Sequence, residues 1–288
     1  MFSFLQYLLP HHLLSALMHA VARIEWPPVK NFIIRKVIAN YKVDMSLAVE
    51  ENPESYPSFN AFFTRQLKAD ARPLALGSRL VSPVDGTVSQ AGDIINSNIF
   101  QAKGHTYTLL ELLGGNSQLA EEFIDGQFTT IYLSPRDYHR IHMPAKGRLR
   151  SMYHVPSRLF SVSPQTTRDV PRLFARNERL VNIFDSDQGS FALIMVGAIF
   201  VSSMDTVWAG TVTPKRQRPT AWHYEIEKDI NLKKGEEMGR FNMGSTVILL
   251  FPKNQVKWNS ELVPGKELKM GESIAESDTG SDQDKNQE

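Results

Sequence analysis

The chain has 288 residues, of which 32 are basic and 31 acidic, for a formal net charge of +1; 42% are hydrophobic and none is cysteine. This length holds one large or two modest domains, and the near-neutral charge gives no support to a dedicated nucleic-acid binder. The absence of cysteine excludes disulfides and thiolate metal sites, which suits a reducing compartment.

The first 28 residues, MFSFLQYLLPHHLLSALMHAVARIEWPP, place apolar residues at helical spacing. Pro10 and two histidines break this run, so it falls short of the roughly 20 apolar residues that a bilayer span needs. A secretory signal lacks its positive start, because no Lys or Arg precedes Arg23. An amphipathic helix in a membrane interface and a helix packed on the protein's own core both remain open. The membrane is slightly favoured by the apolar residues at the terminus, Phe2, Phe4, Leu5, Leu8 and Leu9.

Residues 28–67 read as largely helical, with Ser58 as the expected N-cap of a segment that begins at Phe59. From Pro73 onward, short β-type runs alternate with Gly, Pro, Asp and Asn, at 79–81, 86–88, 128–133, 148–155, 191–198 and 207–212. One helix is predicted over 108–113. We therefore predict an α+β protein with a helical region at 1–72, a β-rich domain at 73–270 and a disordered acidic tail at 271–288.

Two neighbouring patterns mark the C-terminal part of the β-rich domain. The stretch 233–244, KKGEEMGRFNMG, resembles the hairpins of biotinyl and lipoyl carrier domains but has no acceptor lysine in the context that those carriers use. A carrier role is therefore not expected, and the similarity predicts a lipoyl-like hairpin beside Gly244 and Ser245. The run 247–251 is apolar and rich in β-branched and aromatic residues, which predicts a buried strand preceded by a Gly-Ser-Thr turn.

The densest group of reactive side chains is LSPRDYHRIHMPAKG at 133–147. His139 and His142 lie three residues apart there and could supply an acid and a base, whereas a metal site is not expected without a third ligand. Asp85 belongs to an Asp-Gly pair, which is either an ordinary hairpin turn or a carboxylate that orients a catalytic histidine. Together with Ser245, these residues supply the groups of a charge relay, whose function depends on their arrangement in space.

Five motifs together resemble the bacterial membrane-bound phosphatidylserine decarboxylases: FFTRQLKADARP at 62–73, VSPVDG at 81–86, LSPRDYHRIHMP at 133–144, LFARNERLV at 173–181 and FNMGSTVI at 241–248. The motifs are long and unusual, and the resemblance extends from the helical N-terminus to about residue 255. One residue departs from the family's common form, because Met243 stands where a leucine precedes Gly-Ser-Thr. This exchange conserves volume and should leave the turn intact.

The resemblance implies an inactive proenzyme that cuts itself between Gly244 and Ser245. Ser245 Oγ would attack the Gly244 carbonyl, His142 would act as general base, and Asp85 would orient and stabilise the imidazolium. A glycine before the serine would let the hydroxyl approach and would tolerate a strained backbone. The products would be a β chain, 1–244, and an α chain, 245–288, that stay together as a heterodimer, alone or as a dimer of heterodimers.

The resemblance also implies the reaction and its cofactor. A pyruvoyl group derived from Ser245 would form a Schiff base with phosphatidylserine and release CO₂, leaving phosphatidylethanolamine. His139 is the candidate acid in the decarboxylation, although His142 could serve both steps. Four residues are candidates for holding the lipid phosphate or carboxylate: Arg136, Arg140, Arg176 and Arg179. A lipid substrate implies a peripheral protein on the cytoplasmic face of the bacterial inner membrane, with the N-terminal helix at the interface.

Two other interpretations stay open. The first is a non-enzymatic β-sandwich module in which Gly-Ser-Thr is an ordinary turn. The second is a serine hydrolase that uses the same aspartate, histidine and serine on a separate substrate. Both predict one intact chain, whereas self-cleavage predicts a large fragment and a small one.

Overall fold

The N-terminal part of the protein is helical. The computed structural model describes residues 6–77, 79–200, 203–212, 218–224 and 229–277. The first elements are a 3₁₀ turn at Gln6–Leu8, α1 at His11–Ala22, α2 at Pro27–Tyr41, a second 3₁₀ turn at Pro53–Ser55 and α3 at Phe59–Phe63. Ser58 caps α3 as predicted, because its side chain accepts a hydrogen bond from the Ala61 N–H. No helix in the described ranges is long and apolar enough to cross a membrane.

The rest of the described chain is mainly β-structure with four short helices. The helices are α4 Leu109–Leu112, α5 Ser117–Glu121, α6 Pro164–Asp169 and α7 Leu173–Arg176. The strands are β1 Leu80–Val81, β2 Gly86–Asp93, β3 Asn98–Ala102, β4 His105–Thr108, β5 Gln127–Leu133, β6 Arg140–His142, β7 Gly147–Val155, β8 Arg179–Ser186, β9 Gly189–Val196, β10 Met204–Thr206, β11 Gly210–Val212, β12 Thr220–His223, β13 Asn231–Leu232, β14 Glu237–Phe241, β15 Ser245–Phe251, β16 Val256–Trp258, β17 Glu267–Leu268 and β18 Ser273–Ser277. A capping box between Thr108 and Glu111 starts α4, at the beginning of the predicted helix.

The described strands pair antiparallel in four sheets. The largest has the order β12-β7-β8-β9-β15-β5-β2-β17, with β13 also paired to β7. The others have the orders β11-β10-β14-β6, β1-β18-β16 and β3-β4. Strand β15 lies between β9 and β5 in the large sheet, and all its residues are buried. The predicted buried strand is thereby confirmed, and it begins two residues earlier than predicted, at Ser245.

Buried apolar side chains form two clusters. The larger cluster fills the β-rich body, and the smaller one joins the helical elements through Ala22, Ile34, Val43, Tyr56, Phe59, Phe62 and Phe63. Met243 packs against both clusters. The helical layer, which consists of α1, α2, α3 and the segments between them, therefore contacts the chain directly before the predicted cut site.

The coarse fold prediction is confirmed, because a few helices precede a mainly β body. One predicted strand, at 207–212, is wrong in its first half. The Ala209 N–H donates to Thr206 Oγ1 at 3.2 Å, so the chain turns there and only Gly210–Val212 form a strand. Side chains of turn residues can be as apolar as those of strands, and composition alone did not separate the two.

Two further predictions are corrected at the C-terminal end. Ser273–Ser277 form β18 between β1 and β16, with Ile274 and Ala275 buried, although the acidic composition predicted a disordered tail from residue 271. Residues 278–288 lie outside the described residues. The predicted hairpin is also wrong, since β13 pairs with β7 whereas β14 pairs with β6 and β10. The segment Lys233–Glu236 is thus a turn that connects two sheets.

Candidate active site

Ser245 carries a buried hydroxyl without a hydrogen bond to any described residue. The residue opens β15 and is in register with Leu133 at the end of β5. Its Oγ is buried and has no hydrogen-bond partner among the described residues. A buried hydroxyl without a partner costs on the order of 1–3 kcal/mol, and so its position calls for an explanation. A hydroxyl in this state is available to react with a neighbouring electrophile.

The bend before Ser245 carries its strain at Met243. The φ of Met243 is +95°, a left-handed value that a bulky residue rarely adopts and that costs about 1–3 kcal/mol. Gly244 does not have a positive φ, and a Cβ built on it would meet no atom within 4 Å. The left-handed φ near the predicted cut is thus at Met243 and not at Gly244. Met243 directly precedes Gly244, and its side chain packs against both apolar clusters.

Asn242 anchors the same bend through hydrogen bonds. Its Nδ2 donates to Ser203 Oγ at 2.9 Å and to Asp205 Oδ1 at 2.8 Å. Its Oδ1 accepts from Asn60 Nδ2 of α3 at 3.0 Å. The segment before Ser245 is thus attached both to the helical layer and to the sheet that contains β10.

His139 lies beside this segment. Its main-chain oxygen accepts from the Phe241 N–H at 3.1 Å, and its ring stacks on Phe63 with 3.9 Å between centroids. Its Nε2 lies 3.0 Å from the Ser134 carbonyl oxygen and therefore donates a hydrogen, while its buried Nδ1 has no partner in the described chain. Burial, reinforced by the positive charge of Arg65, lowers the pKa of His139 to about 3. The neutral ring can accept a proton at Nδ1 but has none to donate there.

His142 has the tautomer of a general base. Its Nδ1 lies 2.8 Å from the Gly235 carbonyl oxygen, which can only accept, so Nδ1 carries the hydrogen and Nε2 the lone pair. The Tyr138 hydroxyl donates to Nε2 at 3.2 Å, and burial raises the pKa of Tyr138 to about 12, which keeps that proton in place. Burial also lowers the pKa of His142, which the Gly235 carbonyl and the Glu237 carboxylate partly offset. The ring is ready to accept a proton at Nε2.

Asp85 is held by an arginine rather than by a histidine. Arg72 Nε and Nη2 donate to its two oxygens at 2.8 and 2.5 Å, and the Met270 N–H donates at 2.9 Å. Within the described residues, no hydrogen bond joins Asp85 to His142, contrary to the predicted orienting contact. Their main-chain segments remain close, because the main-chain N–H of His142 donates to the Pro83 carbonyl oxygen at 2.9 Å. The charge of Asp85 acts on the imidazole by raising the pKa of His142 against the larger effect of burial.

The sheet brings the aspartate and the serine to one edge. Strands β2 and β15 flank β5, and Thr87 and Thr246 are both in register with Tyr132. Both strands run antiparallel to β5, so they start at the same edge of the sheet. Asp85 and Ser245 precede these two threonines by two residues and one residue. Their approach is thus fixed by register and not by a shared turn.

Two of the four predicted substrate arginines form ion pairs near the site. Arg136 is half exposed and its Nη2 lies 2.6 Å from Glu267 Oε1. Arg140 is mostly buried, and its Nη1 lies 2.8 Å from Glu237 Oε2. Because each arginine already has an acidic partner, neither is a free cation in this structure.

The other two arginines are bound by groups of the chain outside the cavity lining. The Arg176 guanidinium lies 5.1 Å from the Tyr7 ring centroid and donates to the Tyr7 hydroxyl at 3.0 Å. Arg179 is buried, and its N–H groups donate to four main-chain oxygens, those of Glu111, Leu112, Ala175 and Asn177. A lipid headgroup has no access to Arg179 in this arrangement, which is that of a core residue.

A cavity of about 330 Å³ opens beside Asp85. Its basic lining residues are Lys42, Arg65, Arg72, Arg136 and Lys269, and its acidic ones are Asp44, Asp85, Asp137 and Glu267. Arg136 is the one predicted substrate arginine that lines it. Arg65 is buried, donates to the Arg136 carbonyl at 3.1 Å, and leaves Nε and Nη1 without partners among the described residues.

Sequence reasoning missed several residues that complete the site. Arg65 and Arg72 belong to the FFTRQLKADARP motif, which was the available signal, but nothing in that stretch showed which side chain reaches Asp85. Tyr138 lies four residues before His142 in the stretch 133–147, and that closeness was the available signal. Gly235 is 93 residues away from His142 along the chain, and its contact with the imidazole arises only from packing.

Comparisons with known proteins decide the family. A family model described as phosphatidylserine decarboxylase matches residues 59–276, and a second, described as PSD, matches residues 1–42. The chain belongs to the phosphatidylserine decarboxylase family. The phosphatidylserine decarboxylase proenzyme of Alkalilimnicola ehrlichii is 56% identical over 264 residues, which cover 91% of this chain and 89% of that protein. Those of Idiomarina loihiensis and Azotobacter vinelandii are 53% and 51% identical and cover 95% and 94% of this chain and 95% and 96% of their own lengths.

The phosphatidylserine decarboxylase match confirms the family resemblance seen in the motifs. It runs from α3 to β18 and so includes every active-site residue described above except Lys42 and Asp44. It also passes residue 255, where the motif resemblance ends. Strands β17 and β18 lie in that extension and pair with β2 and β1, on either side of Asp85.

Proposed function

We propose that this chain cuts itself between Gly244 and Ser245 and then decarboxylates phosphatidylserine to phosphatidylethanolamine. The observation that carries the proposal is the buried hydroxyl of Ser245, which has no partner among the described residues and lies two residues after the strained Met243, in a chain of this family. The relatives' name, proenzyme, agrees with a precursor that is processed.

Self-cleavage uses groups of the chain and one water molecule. Ser245 Oγ attacks the Gly244 carbonyl carbon and gives its proton to His142 Nε2, which displaces the Tyr138 hydroxyl from that nitrogen. The C–N bond breaks, the proton passes to the Ser245 amine, and an ester remains. Asp85 stabilises the imidazolium through its charge. A base then removes the Ser245 Cα proton, and the Gly244 carboxylate leaves from Cβ, which gives dehydroalanine. Its Cβ takes up a proton, and water adds to the resulting imine carbon and displaces ammonia, which leaves a pyruvoyl group.

The new N-terminus fits a pyruvoyl group. The group would occupy the position of the Ser245 side chain, which is buried at the start of β15. His139 lies in the connection between the neighbouring strand β5 and strand β6. A pyruvoyl carbonyl supplies the electron sink that decarboxylation of an amino acid requires. His139 Nδ1, which is unprotonated and has no partner among the described residues, would take a proton from the substrate ammonium and later return it to the product.

The two chains would stay together after the cut. In the α chain, β15 pairs with β5 and β9, and β17 and β18 pair with β2 and β1. All these partner strands belong to the β chain. Because main-chain ladders and a fully buried strand join the fragments, we expect a heterodimer that separates only on unfolding.

The serine headgroup would enter the cavity beside Asp85. The cavity's volume of about 330 Å³ is at the lower end of the usual range for small-molecule sites, roughly 300–1,000 Å³. Arg136 is the predicted arginine that we retain for the phosphate, because it lines the cavity and is half exposed. Its pairing with Glu267 would break or be shared when an anion binds.

The outer face of α1 supports binding to a membrane surface. Leu13 and Leu17 are 69% and 59% exposed, whereas His11 and Ser15 on the opposite face are buried and accept hydrogen bonds from main-chain N–H groups. A helix that packs its apolar stripe on its own core has the reverse pattern. The apolar surface continues at Leu8, Leu9, Trp26 and Phe32, while Phe2, Phe4 and Leu5 lie outside the described residues.

Charge also favours a bilayer with anionic lipids. Residues 1–42 contain five basic residues and one acidic residue. Lys30 is buried and Arg35 pairs with Glu54, which leaves Arg23, Lys36 and Lys42 to attract an anionic leaflet, by about 1 kcal/mol for each residue near the surface. We therefore propose a peripheral protein on the cytoplasmic face of the bacterial inner membrane, with α1 lying in the interface.

A double substitution, Leu13→Glu with Leu17→Glu, is expected to weaken binding to vesicles of phosphatidylserine and phosphatidylcholine by at least about tenfold, since each buried leucine contributes roughly 1.5–3 kcal/mol. Flotation measures the bound fraction. The control is Leu110→Glu with Ile124→Glu, which adds the same charge at exposed leucine and isoleucine positions outside the helical layer. Equal loss of binding in both pairs would contradict an α1 interface.

The mass of the purified full chain tests the proposed reaction. We expect two polypeptides, one of residues 1–244 and one of residues 245–288. The smaller should be lighter than its serine-started sequence by one ammonia and should resist stepwise N-terminal degradation. A single chain of 288 residues would overturn the proposal and leave the serine hydrolase or the non-enzymatic module.

A further inference from the structure

The ring of His142 is oriented by a main-chain carbonyl. Its Nδ1–H donates to the Gly235 oxygen at 2.8 Å, while both oxygens of Asp85 accept from Arg72 and one also from Met270. The group that sets the tautomer of the imidazole is therefore Gly235, in the Lys233–Glu236 turn. This turn belongs to the stretch that resembled a carrier hairpin, and the proposed chemistry gives it no role.

The carbonyl of Gly235 is fixed from both sides. The Gly235 N–H donates to the Met143 oxygen at 2.9 Å, and the Met143 N–H donates to the Glu236 oxygen at 2.9 Å. Met143 directly follows His142 in the chain. These two bonds bracket the Gly235 carbonyl, so its oxygen is held at a constant distance from the imidazole.

Position 235 favours glycine, because a larger residue would have a strained backbone and would displace the Leu74 side chain. The φ of Gly235 is +77°, and a Cβ built there would lie 2.3 Å from Leu74 Cδ1, well inside contact distance. Leu74 belongs to the linker between the helical layer and the first strand. The linker therefore contacts the turn that carries the orienting carbonyl.

Lys234 ties the turn to the same linker. Its ammonium donates to the carbonyl oxygens of Ala75 and Gly77 at 2.9 Å and to that of Arg79 at 3.4 Å. An ammonium has three hydrogens, and these three acceptors use all of them. Lys234 and Leu74 thus fasten the turn at two points.

We propose that the Lys233–Glu236 turn positions the base for self-cleavage: the Gly235 carbonyl keeps the proton on His142 Nδ1, and Lys234 holds the turn in place. Gly235 and Lys234 are positioning residues, because neither touches Ser245. The inference rests on the proposed role of His142 as general base. It assigns to the carbonyl the task that a carboxylate performs in a serine-protease triad.

The test measures the tautomer directly. In the uncut Ser245→Ala chain with ¹⁵N-labelled histidines, a signal that disappears in His142→Gln identifies the ring. We expect this ring to be protonated at Nδ1, and to shift towards protonation at Nε2 in Gly235→Ala. In a serine-protease triad the wrong tautomer costs about 10⁴-fold in kcat, so self-cleavage in the Ser245 chain carrying Gly235→Ala should slow by at least about tenfold.

Gly104→Ala is the matched control. Gly104 has the same φ of +77°, but a Cβ there meets no atom within 4 Å, so the substitution adds the backbone strain without the contact with Leu74. It should leave the tautomer and the cleavage rate unchanged. If Gly235→Ala fails to fold, Lys234→Met decides, because it keeps the glycine and removes only the three bonds to the linker; a smaller shift in the same direction is expected.

The outcomes separate this inference from the proposed function. An unshifted tautomer in Gly235→Ala and Lys234→Met, or a His142 ring protonated at Nε2 in the parent, would overturn the positioning role. A shifted tautomer with normal cleavage would instead overturn His142 as the base. A shifted tautomer with slowed cleavage, absent in Gly104→Ala, supports both.

Discussion

Replacing Ser245 with alanine is expected to leave the 288-residue chain uncut and without decarboxylase activity. A methyl group cannot attack the Gly244 carbonyl, and the pyruvoyl group can form only from the residue that begins β15. Denaturing electrophoresis and release of labelled CO₂ from phosphatidylserine vesicles measure the two effects. The rate should fall to the uncatalysed level, a loss of at least about 10⁶-fold.

The same substitution should not reduce stability. Ser245 Oγ is buried without a partner among the described residues, and removing such a hydroxyl relieves a penalty on the order of 1–3 kcal/mol. Alanine differs from serine by that one atom and fits the same space in β15. Thermal unfolding of the uncut variant against a slowly maturing wild-type precursor checks this point and excludes misfolding as the cause of the lost activity.

Thr246→Val is the control for Ser245→Ala. Thr246 is the next residue of β15, and its Oγ1 is also buried and unpartnered in the described chain. Valine keeps its shape, so processing and activity should continue. Normal cleavage in Ser245→Ala, or loss of cleavage in Thr246→Val but not in Ser245→Ala, would place the nucleophile elsewhere.

Local patterns in the sequence predicted local features of the fold. Ser58 and the Thr108–Glu111 capping box mark helix starts because their bonds span only three residues. The strand after Ser245 follows from its apolar run. The neighbours of that strand do not, since β9 and β5 are separated from β15 by about 50 and 110 residues of chain. Register across such distances depends on the whole sheet.

The candidate site divides in the same way. His139, His142, Asp85 and Ser245 stand in recognisable motifs, so the chemistry could be predicted. Their actual partners could not, because Arg72 and Gly235 come from a linker and a turn whose positions depend on packing between sheets. In place of the orienting contact expected between them, Asp85 pairs with Arg72 and His142 donates to the Gly235 carbonyl.

The position of Met243 links the helical layer to the reaction. This residue packs against the helical cluster and the β core together, and its strained φ lies one residue before the proposed cut site. Asn60 of α3 reaches the same segment through Asn242. The helical layer that we propose to bind the membrane therefore also contacts the segment before Ser245.

Replacing Arg72 with methionine is expected to destabilise the fold by about 3–5 kcal/mol, because it leaves the Asp85 carboxylate buried with one main-chain donor. Urea unfolding of the uncut Ser245→Ala chain measures this change. Arg148→Met is the matched control, since Arg148 pairs with Asp185 at a partly exposed position and should lose no more than about 1 kcal/mol.

Adding Asp85→Asn to Arg72→Met removes both buried charges. The double variant should recover most of the lost stability, because the cost of the single substitution comes from leaving one buried charge without its partner. Self-cleavage should not recover with it. Asp85 supplies the negative charge that favours a protonated His142, and asparagine has none to supply. A double variant that folds well and cuts slowly separates the electrostatic role of Asp85 from its structural one. Cleavage at the wild-type rate would instead mean that Asp85 serves only to hold Arg72 and the strand end in place.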